Sequence, residues 1–317
     1  MELKRTPQDF VVQEHTSREW QETGKYWVYQ ATKTDLTTHE LMRRLARQNH
    51  LSYKQLRYAG TKDRRAVTTQ YLTSPQELTN NDSAIQLVHV GFSDDHLGLG
   101  DLTANEFEIT AYHVQATHDV HVPNYFGEQR FSTNNLEVGL QLLTGEFLQA
   151  ATTLRKQFRE VDALLEEKPR DAVSALRKAP LKILLLYVHS VQSWLYNQAV
   201  SAWIQDTYED YKEVTYSHGV LRYPYQALPD QQVPLVGAVN ELGAWSKYYQ
   251  PLLAKKGISQ RNFLVRAFPQ LTQEGVNRSL QADIREQEVV LTGSTARVKL
   301  VLGSGCYATI ALKGLLS

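Results

Sequence analysis

Asp63 sits inside AGTKDRRAVTTQ (residues 59–70), with Lys62 before it and Arg64 and Arg65 after it. A carboxylate flanked by three cations stays ionised, because neighbouring positive charge favours the deprotonated form. It is a poor general acid. It suits a nucleophile, a base toward a weakly acidic carbon or oxygen, or an electrostatic stabiliser of a developing cation, while the cations hold an anionic polymer against it. The competing reading of KDRR is a solvated turn with a surface ion pair.

VPNYFGEQRFS (residues 122–132) carries a second group of suitable side chains. Tyr125 and Phe126 offer ring faces to an unstacked base, Asn124 presents both donor and acceptor to a base edge, and Arg130 can meet phosphate. Aromatics beside cations suit a single-stranded or flipped nucleotide. The alternative is a tight turn that sends Phe126 and Phe131 into the core, and Phe131 is assigned there. Elsewhere His189 reads as a hydrogen-bonded core histidine, Cys306 as a packed thiol, and Glu166, Glu167 and Lys168 as an exposed helix end. The histidines show no ligand-like spacing with carboxylates, so no metal site is expected.

These residues need elements to hold them. FVVQEH (10–15) and KYWVYQATK (25–33) are rich in β-branched and aromatic residues and predict two strands joined as an N-terminal hairpin. Thr37 and Glu40 have capping-box spacing, with Leu41 and Leu45 on one side of the helix that follows and Arg43, Arg44 and Arg47 mostly on another. AVTTQYLT predicts the next strand, which places Asp63 in a loop between elements. IQLVHVGF (85–92) and NEFEITAYHV (105–114) predict further strands, and in the second Phe107, Ile109 and Ala111 share one face. From about residue 135 the period becomes helical. Leu136, Leu140, Leu143 and Phe147 form one stripe, and residues 181–206 are apolar around most of a helix, which predicts a central, buried element. A loop-rich stretch with Pro224, Pro229, Pro234 and Pro251 precedes a last strand, ARVKLVL (296–302).

Strands, then helices, then a strand predict an α+β chain whose helical middle interrupts the domain begun by the first half. The chain has 317 residues, 42% hydrophobic and 21% charged, enough for a substantial core. Its 34 basic and 34 acidic residues cancel, yet from 41 to 70 Arg43, Arg44, Arg47, Lys54, Arg57, Lys62, Arg64 and Arg65 stand against Asp63 alone. One face is thus electropositive on a neutral protein. A single cysteine excludes an internal disulfide framework, and the longest apolar run, ILLLYV, is too short to span a bilayer. A cytoplasmic protein without a membrane partner is expected.

The motifs resemble those of the TruD family of pseudouridine synthases. G-x-K-D-x-x-A-x-T-x-Q is matched at Gly60, Lys62, Asp63, Ala66, Thr68 and Gln70, and residues 124–131 are similar to N-Y-F-G-x-Q-R-F. LKRTPQDFVVQE, GDLTANEF, HSVQSWLYN, EGVNRSL and GSGCYATIALKGLL follow in the family's order, although Asn277 and Arg278 stand where paired arginines are usual. The resemblance implies a catalytic domain with a mixed, mainly antiparallel sheet (1–133 and 276–317), interrupted by a family-specific α+β domain (134–275). It implies isomerisation of a uridine in transfer RNA, uridine 13 in bacterial members, without metal or cofactor. Asp63 is then the essential aspartate, Phe126 the ring that stacks on the target base and Asn124 a polar contact. Lys4 and Tyr307 are candidate neighbours, while Lys62, Arg64, Arg65 and Arg130 meet the RNA.

Breaking the N1–C1′ bond and rejoining the uracil through C5 asks for a group at the sugar that stays charged. Asp63 meets that demand by attacking C1′ or by removing a C2′ proton to give a glycal, the second being favoured. Two rival classes predict otherwise. A non-catalytic RNA binder has no need of an acid at 63, and a glycoside hydrolase wants a second placed carboxylate, for which Glu128 is the candidate. A monomer is expected, since no coiled-coil pattern occurs.

Overall fold

In the computed structural model, residues 1–98, 100–132 and 134–316 are described. The first elements are β1 (Glu2–Leu3), β2 (Phe10–Thr16), β3 (Tyr26–Thr34), α1 (Thr38–Gln48), β4 (Arg57–Tyr58), β5 (Val67–Ser74), β6 (Ile85–Ser93) and β7 (Leu102–Tyr112). There follow α2 (Asn135–Thr144), α3 (Phe147–Leu154), α4 (Arg159–Glu167), α5 (Ala172–Leu176), α6 (Leu181–Thr207), β8 (Tyr211–Tyr216), β9 (Gly219–Pro224), β10 (Gln232–Pro234), α7 (Ser246–Lys255) and β11 (Asn277–Ser279). The chain ends with β12 (Ile284–Thr292), β13 (Thr295–Gly303) and α8 (Ala308–Leu316).

Two compact units result. One comprises Met1–His118, Asp283–Ala308 and the residues from Leu315; the other comprises Asp119–Ala282 and Thr309–Gly314. Segment 134–275 lies inside the second unit, which also takes in 119–133 and 276–282. The reason is pairing: His121 N–H donates to the Pro224 carbonyl (2.9 Å), Asn124 N–H to Leu280 (2.8 Å) and Ala282 N–H to Val122 (3.0 Å). Asn124, Phe126 and Arg130 therefore belong with the helices.

The first unit is built on one mixed, mainly antiparallel sheet in the order β12-β13-β7-β2-β5-β3-β6, with β1 on β7 and β4 on β5. Among the described strands only β2 and β5 run parallel, with Val11 opposite Val67. The expected N-terminal hairpin does not form, since β5 lies between β2 and β3. A hairpin needs a short turn; here the connection instead runs to the edge strand, where Gln21 and Phe92 exchange backbone hydrogen bonds of 2.9 Å. Tyr29 and Ala31 alternate onto one face of β3 and pack with Leu41, Met42 and Leu45 of α1. Lys33 occupies the next position on that face. The Thr37–Glu40 capping box forms as its spacing predicts, with Thr37 N–H donating to Glu40 Oε2 at 2.8 Å.

In the second unit α6 is buried along most of its length. Gly139 lets α2 approach it, because a Cβ there would stand 2.1 Å from the Tyr187 carbonyl oxygen. The stripe from Leu136 to Phe147 is not one helix. Gly145, at φ 81°, ends α2, and Phe147 opens α3. The stretch after α6, expected to be rich in loops, holds the β8–β9 hairpin, whose strands are short and mix charged with apolar residues. Among the described residues no helix is long and apolar enough to cross a membrane.

Candidate active site

Asp63 lies on the loop between β4 and β5, and the motif around it works as a set of anchors. Gln70 and Thr38 are fully buried. Thr38 donates its hydroxyl to Gln70 Oε1 (2.8 Å) and accepts from Lys62 N–H (2.9 Å), while Gln70 Nε2 reaches the Gly60 carbonyl (3.4 Å). Ala66, also buried, accepts from Asp35 N–H through its carbonyl (3.2 Å). The loop is thus tied to β5 and to the start of α1 by hydrogen bonds shielded from water, which hold their geometry better than exposed ones.

Three lysines surround this loop, each with a different task. Lys4 Nζ pairs with Asp63 Oδ2 and lies over the Phe10 ring at 3.9 Å. Lys4 also holds φ at 59°, a left-handed conformation costly for a residue with a Cβ and common where a side chain must be aimed. Lys33 Nζ, fully buried, donates to the carbonyls of Leu36 and of Asp63, the latter at 2.7 Å. Burial pulls its pKa down to about 8, and the Asp63 charge opposes that shift. Lys62 turns inward: its side chain is 6% exposed and pairs with the buried Glu14 at 2.8 Å. Burial raises the pKa of Glu14 and the Lys62 charge works against the rise.

Lys62, expected among the RNA contacts, thus has its ammonium on Glu14 in the interior. Arg64 is exposed, 3.9 Å from Asp35, and Arg65 donates to the Arg5 carbonyl at 2.8 Å. Lys4, far away in sequence, brings a cation to the Asp63 carboxylate. Asp63 itself keeps a side chain 34% exposed, enough to meet a ligand. Tyr307 lies half-buried between β13 and α8. Lys33, Glu14 and Thr38 escaped the sequence reading. The available signal was a charged residue in the inward phase of an apolar strand, Lys33 after Tyr29 and Ala31, and Glu14 after Phe10 and Val12.

In the second unit, Tyr125 is wholly buried, edge-on to Tyr223 and donating to the Arg222 carbonyl (2.9 Å). It offers no face to a base. Phe131 is core, as expected. Phe126 is 6% exposed and its backbone is clamped by Asn197, whose side chain accepts from its N–H and donates to its carbonyl, both at 2.9 Å. The Arg278 guanidinium lies over the ring at 4.1 Å, Arg130 stands at 5.5 Å and Tyr196 meets it edge-on. Arg278 also donates to the carbonyl (2.8 Å) and Oδ1 (2.5 Å) of Asn124. Phe126, Arg130, His189, Ser193 and Gln273 line a cavity of about 450 Å³. His189 bonds to Gln273 (3.1 Å), and burial lowers its pKa.

Among the described residues no cluster of three His, Cys, Asp or Glu side chains is placed to hold a metal. In the first unit, a reachable carboxylate on a loop locked by buried lysines is suited to carboxylate chemistry; in the second, a ring with two guanidiniums over it forms a separate group. The fold matches the crystal structure of a Methanosarcina mazei protein assigned as tRNA pseudouridine synthase D (TruD), with a TM-score of 0.75 at 24% identity over 99% of this chain and 93% of that one. The family model described as tRNA pseudouridine synthase D (TruD) matches residues 1–163 and 230–315, and the chain belongs to that family. Relatives of the same name include proteins from Thermoplasma volcanium (27% identical, 99% of this chain, 94% of that one) and Aquifex aeolicus (25%, 99% and 97%).

Proposed function

We propose that this protein isomerises a uridine of transfer RNA to pseudouridine, at position 13, with Asp63 as the essential carboxylate. The supporting observation is the mounting of Asp63: a one-third-exposed side chain, ion-paired with Lys4, on a loop whose backbone is held by buried Lys33, Thr38 and Gln70. Lys4 holds the carboxylate in place through their ion pair. Asp63 then either displaces uracil at C1′ or takes the C2′ proton, and in both routes the N1–C1′ electron pair leaves with the base. The rotated uracil bonds through C5 to C1′, as the Asp63–C1′ bond breaks in the first route or as Asp63 returns the proton to C2′ in the second; the C5 hydrogen then leaves as a proton, and N1 gains one. Arg64 and Arg65, both exposed, are the phosphate contacts beside it. Asn124, Phe126 and Arg130 are the RNA-contacting residues of the second unit, with Tyr307 a neighbour in the first.

The test uses a tRNA transcript tritiated at uridine C5, comparing wild type with Asp63→Asn. Wild-type release of tritium to water, product mapped to uridine 13, and a loss of at least ~10³-fold in the variant are expected. A folded wild-type protein that binds the tRNA and releases nothing overturns the reading.

A further inference from the structure

One surface of the first unit is not used by the chemistry above. His39, Arg43 and Arg47 recur at four-residue spacing on α1 and all three are exposed, a stretch of about 12 Å along the helix. At the N-terminal end of this face His39 Nδ1 hydrogen-bonds with the Tyr53 hydroxyl (2.5 Å), and that hydroxyl lies 3.3 Å from the hydroxyl of Tyr58. The His39 and Tyr53 rings are 6.0 Å apart and tilted by 32°. Tyr53 and Tyr58 rest against the core cluster of Leu41 and Leu45, so the rings are held in place from beneath. Lys54, exposed, follows Tyr53.

Some cations of this unit are spent on internal carboxylates. Arg44 is paired with Asp82 (2.8 Å) and Arg64 faces Asp35. Among the described residues Arg43, Arg47 and Lys54 have no carboxylate within ion-pair range. No acidic residue occurs anywhere from 41 to 62. Exposed cations without internal partners, beside supported rings with polar edges, are complementary to a ligand that alternates phosphates with flat bases. An acidic peptide would satisfy the cations and leave the rings unused.

Resting on the synthase reading, we propose that the His39–Arg43–Arg47 face of α1, with Tyr53 and Lys54, docks a segment of the substrate RNA outside the target uridine. Arg43, Arg47 and Lys54 take its phosphates and the His39–Tyr53 pair takes an unstacked base. The face gives affinity and orientation and makes no contact with the reacting atoms.

The double variants Arg43→Glu/Arg47→Glu and Arg43→Gln/Arg47→Gln, and the single variant His39→Ala, are compared with wild type. Each is checked for an unchanged thermal melt, assayed for tritium release over a range of KCl, and titrated against fluorescein-labelled tRNA by anisotropy. The expected result for the double variants is a KM and a Kd raised about tenfold or more with kcat held, and a salt dependence of log Kd shallower by about 1.5 to 2. His39→Ala raises Kd several-fold without changing the salt slope. Kd and slope equal to wild type in folded variants overturn the proposal and assign the face to another partner, such as an acidic protein. Anisotropy tests the surface without turnover, so an inactive wild type sinks the synthase reading while the variants still decide this one.

Discussion

The Asp63 loop and the Phe126 segment both present chemistry on irregular backbone, and they are fixed by opposite means. Around Asp63 the holding groups are charged: Lys33 and the Lys62–Glu14 pair are buried, and they come from β3, the loop itself and β2. Around Phe126 the backbone is held by neutral amide contacts from Asn197, while Arg278 lies over the ring and donates to the neighbouring Asn124. The difference follows from what must be aimed. A carboxylate needs a defined field as well as a defined place, and buried cations supply a field that water does not screen. A ring needs only a place.

The comparison breaks most easily at Lys62. If it serves structure rather than RNA, Lys62→Met leaves Glu14 buried and unpaired and destabilises the first unit by about 3 to 5 kcal/mol, read by urea unfolding. Adding Glu14→Gln restores much of that loss. A Lys62→Met protein of wild-type stability and weakened tRNA binding would return Lys62 to the RNA-contacting set.

A smaller effect sharpens the role of Lys33. Its folded pKa is about 8 against an ordinary 10.5, so between those values the unfolded chain holds a proton that the folded chain lacks. Stability from this group therefore rises with pH across that window and is lowest below pH 8. Wild type should gain on Lys33→Met by about 2.5 kcal/mol between pH 7 and pH 10. Parallel stability curves for the two proteins would show that the ammonium is not desolvated.

The smallest effect is expected in the second region. Arg278→Met removes the cation over Phe126 and the two donors to Asn124, at about 1 to 2 kcal/mol, measured by thermal melting. A loss as large as that of Lys62→Met would show that charge matters as much here as around Asp63.

Much of the fold was legible locally. The capping box at Thr37, the alternation in β7 and the buried length of α6 each rest on neighbours within a few residues, where side-chain period and cap chemistry act directly. The motif residues Gly60, Asp63 and Gln70 were legible too, as was the loop that carries them. The hairpin failed because strand pairing is a long-range choice: β5 entered between β2 and β3 through contacts that no window of sequence contains. The stripe from Leu136 to Phe147 failed because spacing alone does not mark Gly145 as a left-handed stop.

The site divides along the same line. Residue type alone determined that Asp63 stands among cations, that rings and arginines recur near Phe126, and that the stretch from 41 to 70 is basic, since composition and order are enough for each. Only the tertiary structure decided which cation serves which purpose. Lys62, adjacent in sequence, is drawn to Glu14 on β2, and Lys4 reaches the Asp63 carboxylate from 59 residues away. The physical reason is that side chains of adjacent loop residues diverge, while a sheet lays distant segments side by side, and Coulomb attraction depends on the distance between charges and not on the length of chain between them.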